Sequence, residues 1–167
     1  MKIGIISDTH ITKDPEKFLH TIKYHFHGLD LIIHAGDFVA EGVVKGLIQY
    51  KDFVGVLGNV DNQNTTHFVK EKELIELEGY KIGIYHGHGI GKTTLERTYE
   101  IFMEDNVDII IFGHSHQPII KTHRGILMLN PGSPTQKRKE RWFSYILLEL
   151  DRESIEASLK LFSKRLE

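Results

Sequence analysis

Metal-ligand side chains recur in this sequence wherever an apolar run ends. The runs are rich in Ile, Val, Leu and Phe, which is typical of buried strands. Each run is followed closely by an Asp, Asn or His. Seven such side chains follow five runs: Asp8, His10, Asp37, Asn59, His86, His114 and His116. Together they offer oxygen and nitrogen ligands without sulfur, a combination that suits divalent transition metals.

The number of these side chains indicates more than one ion. A single transition metal takes about four to six ligands, so seven ligands favour a pair of ions that share a carboxylate. Two ions about 3.5–4 Å apart suit phosphoester hydrolysis, because both neutralise the phosphoryl oxygens and a hydroxide held between them attacks phosphorus. The expected substrate is therefore a phosphoester.

The elements that would position the first ligands alternate between strand and helix. Strands are predicted at 3–6, 31–35 and 53–57. A helix is predicted to start at Asp14 and Pro15, with Asp14 as the N-cap, and a second one covers 43–48. This alternation predicts a parallel sheet. Ligands of such sheets gather beyond the carboxyl ends of the strands, where the candidate side chains lie.

After Asp61 the pattern changes to shorter strands with tight turns. Strands are predicted at 74–78, 81–85, 107–112, 118–122, 126–129, 143–150 and 155–161, mainly antiparallel, with one helix around 95–102. We predict that residues 1–167 form a single α/β domain. In this αββα sandwich, two β-sheets pack face to face and helices cover their outer faces.

Composition excludes several classes of protein. The chain has 167 residues, a formal net charge of −2 and no cysteine, so disulfides and thiolate metal sites are ruled out. The charge gives no sign of a nucleic-acid partner. No apolar run approaches the ~20 residues that span a bilayer, and no secretory signal is evident at the N-terminus. A cytoplasmic location is the expectation, and the oligomeric state is left open, with a homodimer as one option.

The order of the motifs resembles that of the calcineurin-like metallophosphoesterases. The matching motifs are Asp8-x-His10, Gly36-Asp37, Gly58-Asn59-x-Asp61, His86 and Gly113-His114-x-His116. The small size, Val60 after the Asn, and Asn130-Pro131-Gly132-Ser133 are similar to the compact YfcE-type prokaryotic phosphodiesterase subgroup. The resemblance runs from Met1 to about Leu150 and implies the αββα sandwich.

The resemblance also implies a di-metal centre, often loaded with Mn²⁺, although Ni²⁺, Fe²⁺, Zn²⁺ and Co²⁺ accept the same ligands. It assigns the first ion to Asp8, His10, Asp37 and His116. It assigns the second ion to Asp37, Asn59, His86 and His114, so that Asp37 bridges the two.

One position departs from the larger family members, which carry a proton-donating His where this chain has Val60. Loss of a general acid typically costs about 10²–10⁴-fold in rate, and least when the leaving group is acidic. Asp61 and His88 are candidate substitutes; Asp61 alternatively orients Asn59 or a ligand His. His88 and Ser133 are also candidates for substrate contact. The basic cluster Lys137–Arg141 is either a solvated loop or an anion-attracting edge of the site.

Three alternatives remain open. The segment His86–Thr93 resembles a phosphate-binding loop at Gly91-Lys92-Thr93, but His86 replaces its first Gly. A non-catalytic scaffold, similar to the retromer subunit that resembles this family, would be expected to have lost ligands, and this chain keeps all seven. A metal-dependent nuclease would need a basic groove that follows the strand.

Overall fold

Two five-stranded sheets form the framework of the computed structural model, which describes residues 1–62 and 64–166. In chain order the strands are β1 (Lys2–Ile6), β2 (Leu31–His34), β3 (Asp52–Gly55), β4 (Lys72–Leu77), β5 (Tyr80–Tyr85), β6 (Ile109–Ile111), β7 (Ile119–His123), β8 (Ile126–Asn130), β9 (Phe143–Leu150) and β10 (Ile155–Phe162). The helices are α1 (Pro15–His25), α2 (Glu41–Tyr50) and α3 (Thr94–Phe102).

Both sheets are mixed. The first has the order β10-β9-β1-β2-β3, in which β1, β2 and β3 are parallel and β9 runs antiparallel to β1 and β10. The second has the order β4-β5-β6-β8-β7, with a parallel centre of β5, β6 and β8 between antiparallel edge strands. The parallel centre of this second sheet is a feature that the prediction of mainly antiparallel strands missed.

The core lies between the sheets because side chains alternate along each strand. Ile3 and Ile5 of β1 pack in one buried cluster with Ile82 and Ile84 of β5. The other face of the first sheet packs against α1 and α2, and the other face of the second sheet packs against α3. The predicted αββα sandwich is confirmed.

Helix α1 lies close to β1 through Gly4. A Cβ at this position would lie 2.7 Å from Phe26 Cε2, so only glycine lets the ring rest on the strand. The predicted apolar face of the helix is buried, including Phe18, Leu19 and Ile22. Asp14 occupies the N-cap position of α1, as predicted, but its side chain does not bond to the helix. Asp14 has a left-handed backbone, with φ of 49°, and makes no capping bond, whereas capping residues are normally extended.

Within the described residues, no helix has the length and apolar character needed to cross a membrane.

Candidate metal centre

The predicted ligands meet at one edge of the sandwich because parallel strands of both sheets end there. Asp8 and His10 follow β1, Asp37 follows β2, His86 follows β5, and His116 follows β6. Backbone hydrogen bonds tie the loops together within each sheet. Asp8 N donates to Gly36 O at 2.9 Å, and Gly113 N donates to His86 O at 3.0 Å. Strand order therefore brings together residues that are distant in the sequence.

Two buried groups of side chains have ligand atoms close enough to share an ion. The ligand atoms within each group lie within 4.8 Å of one another. The groups are Asp8 with His10 and His116, and Asp8 with Asp37 and His86. Asp37 belongs to the second group and also lies close to the first. Its Oδ2 is 3.3 Å from His86 Nε2 in its own group and 3.5 Å from His10 Nε2 in the other. Both carboxylates thus lie close to histidines of both groups.

The ligand atoms of the two groups lie close to one another, and two of them lack a hydrogen-bond partner within the described part of the chain. Asp8 Oδ1 lies 3.2 Å from His116 Nε2, and His10 Nε2 lies 3.2 Å from His116 Nε2. Among the described residues, Asp8 Oδ1 and His86 Nε2 are buried with no aligned hydrogen-bond partner. Buried polar atoms are normally satisfied. Cations placed among these lone pairs would satisfy them, so the residues fit a metal.

Backbone carbonyls orient two of the histidines. His86 Nδ1 contacts Ala35 O at 2.7 Å, and His116 Nδ1 contacts Gln136 O. A carbonyl only accepts, so Nδ1 carries the hydrogen in both rings and Nε2 presents its lone pair to the centre. Ala35 and Gln136 were not identified from the sequence, because a backbone carbonyl leaves no residue-type signal.

Asn59 and His114 lie apart from the two buried groups. His114 Nδ1 contacts Asn59 Oδ1 at 3.0 Å, and the His114 ring centroid is 5.2 Å from that of His86. His114 is half-buried and Asn59 is exposed. The structure therefore brings five of the predicted ligands into the buried groups and pairs the other two at the rim.

Five of the predicted ligands have a left-handed backbone. The φ values are 56° for Asp8, 46° for His10, 62° for Asp37, 65° for His114 and 57° for His116. Non-glycine residues seldom adopt this conformation, and such strained residues cluster at functional sites. Here all five residues lie in the loops that follow β1, β2 and β6.

Opposite charges shape the pKa values of the carboxylates. Burial acts to raise the pKa of Asp37, but the contact with His86 outweighs it and lowers that pKa to about 2. For Asp8, burial is likewise outweighed by His116 and His86, and the pKa is lowered. Both groups are therefore anionic at neutral pH, the state that a metal ligand needs.

The histidine pKa values shift in different directions. Burial would lower the pKa of His86, but Asp37 and Asp8 raise it above the usual value. Burial lowers the pKa of His114 to about 4 and also lowers that of His10, to which the charge of Arg138 contributes. The rise in the pKa of His86 reflects the negative field of two carboxylates beside it, a field that also attracts a cation.

Asp61 supports the loop that carries Asp37. Its two oxygens accept four backbone N–H groups, from Asp37 at 2.9 Å, Phe38 at 2.8 Å, Val39 at 2.9 Å and Gly58 at 2.8 Å. These bonds occupy the carboxylate within the protein. The arrangement favours a structural role for Asp61 over proton donation to a substrate. Asp61 fulfils this role by holding backbone N–H groups rather than by orienting the side chain of Asn59.

Ser133 also makes its contacts inside the protein. Its hydroxyl is buried, donates to Asp8 O at 2.8 Å and accepts from Gln136 N at 2.8 Å. The side chain thus braces the Asp8 loop, which favours a structural role over the expected substrate contact.

His34, which ends β2, is completely buried and contacts Thr9 Oγ1 at 3.0 Å.

The remaining candidates surround the opening. The His88 ring lies 5.7 Å from that of His86, and its Nδ1 is buried without a hydrogen-bond partner among the described residues. The Val60 side chain is exposed, and its N–H donates to Asp37 Oδ1 at 3.1 Å. Arg138 of the basic cluster is exposed and close enough to His10 to lower its pKa.

The loop that resembles a phosphate-binding motif is organised differently. Thr93 caps α3 in a reciprocal pair of bonds with Glu96, and the Lys92 ammonium pairs with Glu100 on the same helix. The Lys and Thr of the apparent motif are therefore engaged in helix capping and a surface ion pair.

Comparison with known proteins agrees with this geometry. Residues 1–153 match the model of the calcineurin-like phosphoesterase superfamily domain. A probable metallophosphoesterase of Methanothermobacter thermautotrophicus is 31% identical over 95% of this chain and 91% of its own length. Phosphodiesterase MJ0936 of Methanocaldococcus jannaschii is 28% identical over 79% of this chain and 83% of its own length.

Among solved structures, Vps29 of Entamoeba histolytica complexed with zinc has the same fold. It aligns with a TM-score of 0.72 and 23% identity, over 96% of this chain and 99% of that one. The match to the family model and the identity with the archaeal relative together show that this chain belongs to the calcineurin-like phosphoesterase superfamily.

Proposed function

We propose that this protein is a metal-dependent phosphodiesterase that hydrolyses small or activated phosphoesters with two divalent ions, Mn²⁺ being the expected one. The observation that carries the proposal is the cluster of carboxylates and imidazoles in which, among the described residues, Asp8 Oδ1 and His86 Nε2 are buried without an aligned partner. When bound, the ions supply Lewis-acid polarisation of the phosphoryl oxygens and activation of water at neutral pH. The likeness to an archaeal phosphodiesterase supports the choice of a diester.

The ligand scheme divides the seven side chains between two ions. Asp8, His10, Asp37 and His116 hold the first. Asp37, Asn59, His86 and His114 hold the second, with Asp37 shared. The 3.5 Å and 3.3 Å approaches of Asp37 Oδ2 to His10 and His86 support the shared role.

The residues around the ligands orient them and receive the substrate. Two carbonyls fix the His86 and His116 rings, and Asp61 fixes the loop of Asp37. Arg138 stands at the edge, where its charge attracts an anionic ester. His88, whose Nδ1 has no hydrogen-bond partner among the described residues, is the candidate for contact with a phosphoryl oxygen.

The test is hydrolysis of bis-p-nitrophenyl phosphate with added Mn²⁺, with p-nitrophenyl phosphate as the monoester comparison. Asp37→Ala and Asn59→Ala are expected to abolish metal-stimulated hydrolysis. Asp52→Ala, which removes an exposed carboxylate at the start of β3, serves as the control. Unchanged activity in Asp37→Ala would refute the proposal. Mn²⁺ binding, seen by electron paramagnetic resonance, without hydrolysis of any ester would instead favour the scaffold.

Val60 leads to a second expectation about the leaving group. Its side chain carries no proton to donate, so the rate should fall steeply as the pKa of the leaving alcohol rises. A series of substituted phenyl diesters measures this slope when the chemical step is rate-limiting. A rate that does not depend on the pKa of the leaving alcohol would show that His88 or another group acts as the acid. If the dependence then becomes steep in His88→Ala, His88 is that acid.

A further inference from the structure

A cavity of about 400 Å³ adjoins the candidate metal centre on the side of α1. His10, Gln136, Lys13 and Lys17 are among its lining residues. We call this cavity the side pocket. Pockets that bind small molecules typically have volumes of about 300–1,000 Å³, so its size suits a group such as a phosphorylated sugar.

The side pocket is positively charged although the whole chain carries a net charge of −2. Lys13, Lys17 and Arg165 line it, and Asp14 is the acidic residue in the lining. Within the described residues, neither lysine ammonium has a carboxylate within 4.0 Å, whereas Lys45, Lys72 and Lys92 each form an ion pair elsewhere on the surface. Lys13 and Lys17, neither of which is ion-paired with a described carboxylate, thus line one concavity.

The side pocket borders the candidate metal centre through His10 and Gln136. His10, in its lining, lies 3.2 Å from His116 at Nε2 of both rings. Gln136, also in the lining, contacts His116 Nδ1 through its carbonyl. A substituent on a phosphate held at the metal centre would therefore lie next to the side pocket.

We propose that the side pocket binds a second phosphate of the substrate, through Lys13 and Lys17, while the first phosphate is hydrolysed at the metal centre. This rests on the proposed function, because it needs an ester held by the predicted ligands. The substrate class is then a phosphodiester whose retained group carries a further phosphate, such as a nucleoside bisphosphate ester. Charge-assisted hydrogen bonds from the two lysines to the second phosphate would favour such esters over esters that lack it.

The test compares two esters with the same leaving group in the presence of Mn²⁺: thymidine 5′-(p-nitrophenyl phosphate) and its 3′-phosphorylated analogue. We expect the 3′-phosphate to raise kcat/KM by about tenfold, the scale of one strong charge-assisted contact. The advantage should disappear in Lys13→Gln/Lys17→Gln. It should persist in Lys2→Gln/Lys121→Gln, which removes the same charge from the start of β1 and from β7.

Bis-p-nitrophenyl phosphate lacks the second phosphate, so all three proteins should hydrolyse it equally. No advantage for the 3′-phosphate in the wild type, or an advantage that survives in Lys13→Gln/Lys17→Gln, would overturn the proposal.

A binding measurement separates this proposal from the proposed function. In metal-free protein, titration with methyl phosphate should shift the amide NMR signals of residues 12–14, 16–17 and 135–136, and the double lysine variant should lose these shifts. Shifts confined to other regions would overturn the proposal whether or not any ester is hydrolysed. Binding of methyl phosphate without preference for the bisphosphate ester would assign the pocket to free phosphate, which also overturns it.

Discussion

At the scale of single residues, Asp61 decides the geometry of the site without pointing into it. Its oxygens gather the consecutive N–H groups of Asp37, Phe38 and Val39, together with that of Gly58. Asp37 and Val39 both have positive φ, with values of 62° and 74°. Val39 is β-branched, so its conformation is costly and needs this support. Backbone amides arranged in this way form an anion-binding nest, which Asp61 fills.

Replacing Asp61 by Asn should therefore destabilise the protein strongly. Each oxygen accepts two N–H groups, and the amide nitrogen of Asn can accept none, so two bonds to a charged acceptor are lost. We expect the free energy of unfolding of metal-free protein to fall by about 3 kcal/mol, measured by urea denaturation. Asp108→Asn is the control, because Asp108 Oδ2 accepts one backbone N–H, from Lys81, and Asn keeps an oxygen for it. Equal stability of Asp61→Asn and wild type would contradict this account.

His34 makes the stability of the metal-free protein depend on pH. Complete burial lowers its pKa to about 3, against 6.5 in an unfolded chain. Between these values the unfolded state binds the extra proton, so stability falls as the pH falls. At pH 5 this group alone should cost about 2 kcal/mol relative to pH 7.

The measurement is urea denaturation at both pH values in wild type and in His34→Gln, which cannot titrate. His86, whose raised pKa acts in the opposite direction, is present in both proteins and cancels in the comparison. We expect a smaller loss of stability on acidification in His34→Gln. The same loss in both proteins would show that His34 titrates normally in the fold.

At the scale of elements, the loops that follow the strands pack so closely that glycine is required between ligands. A Cβ on Gly113, at the end of β6, would overlap Ser7 Oγ and lie 2.7 Å from Asp8 Oδ2. That oxygen accepts hydrogen bonds from Ser7 Oγ at 2.7 Å and from His114 N at 2.9 Å. Gly113 thus lets a loop of the second sheet hold a carboxylate of the first.

Gly113→Ala should displace the Asp8 carboxylate and weaken Mn²⁺ binding. Loss of groups that hold metal ligands typically lowers affinity by about 10–100-fold, and we expect a loss in that range by calorimetric titration. Gly79→Ala is the control: this turn residue has a φ of +88° and open space around it, so its cost of about 1 kcal/mol is confined to stability. Unchanged Mn²⁺ affinity in Gly113→Ala would show that Asp8 is not a ligand.

At the scale of the whole molecule, the candidate ligands join the two halves of the sandwich. Asp8, His10 and Asp37 follow strands of the first sheet, whereas His86 and His116 follow strands of the second. An ion held by both sets binds only when the sheets are packed together. Metal binding is therefore linked to the stability of the entire fold.

Mn²⁺ at a hundred times its dissociation constant should stabilise the protein by about 3 kcal/mol. For a chain of this size, that corresponds to a rise in Tm of about 5–10 °C, measurable by differential scanning calorimetry. In Asp37→Ala the rise should be much smaller at the same Mn²⁺ concentration. An equal rise in both proteins would place the binding site elsewhere.

The sequence by itself determined the identity of the candidate ligands and the architecture that carries them. Apolar runs define strands, and strand–helix alternation in the first half defines a parallel sheet. Since the carboxyl ends of such strands share an edge, the Asp and His that follow them were expected to meet. These inferences depend on local patterns and on general rules of chain topology.

Only the tertiary structure decided how those side chains meet. It joined five of them in two buried groups that share Asp8, and paired Asn59 with His114 at the rim. It also turned Asp61 and Ser133 toward backbone and opened the side pocket beside His10. The physical reason is that these contacts join loops of different strands, whose distances depend on sheet order and on left-handed backbone angles that residue types alone do not specify.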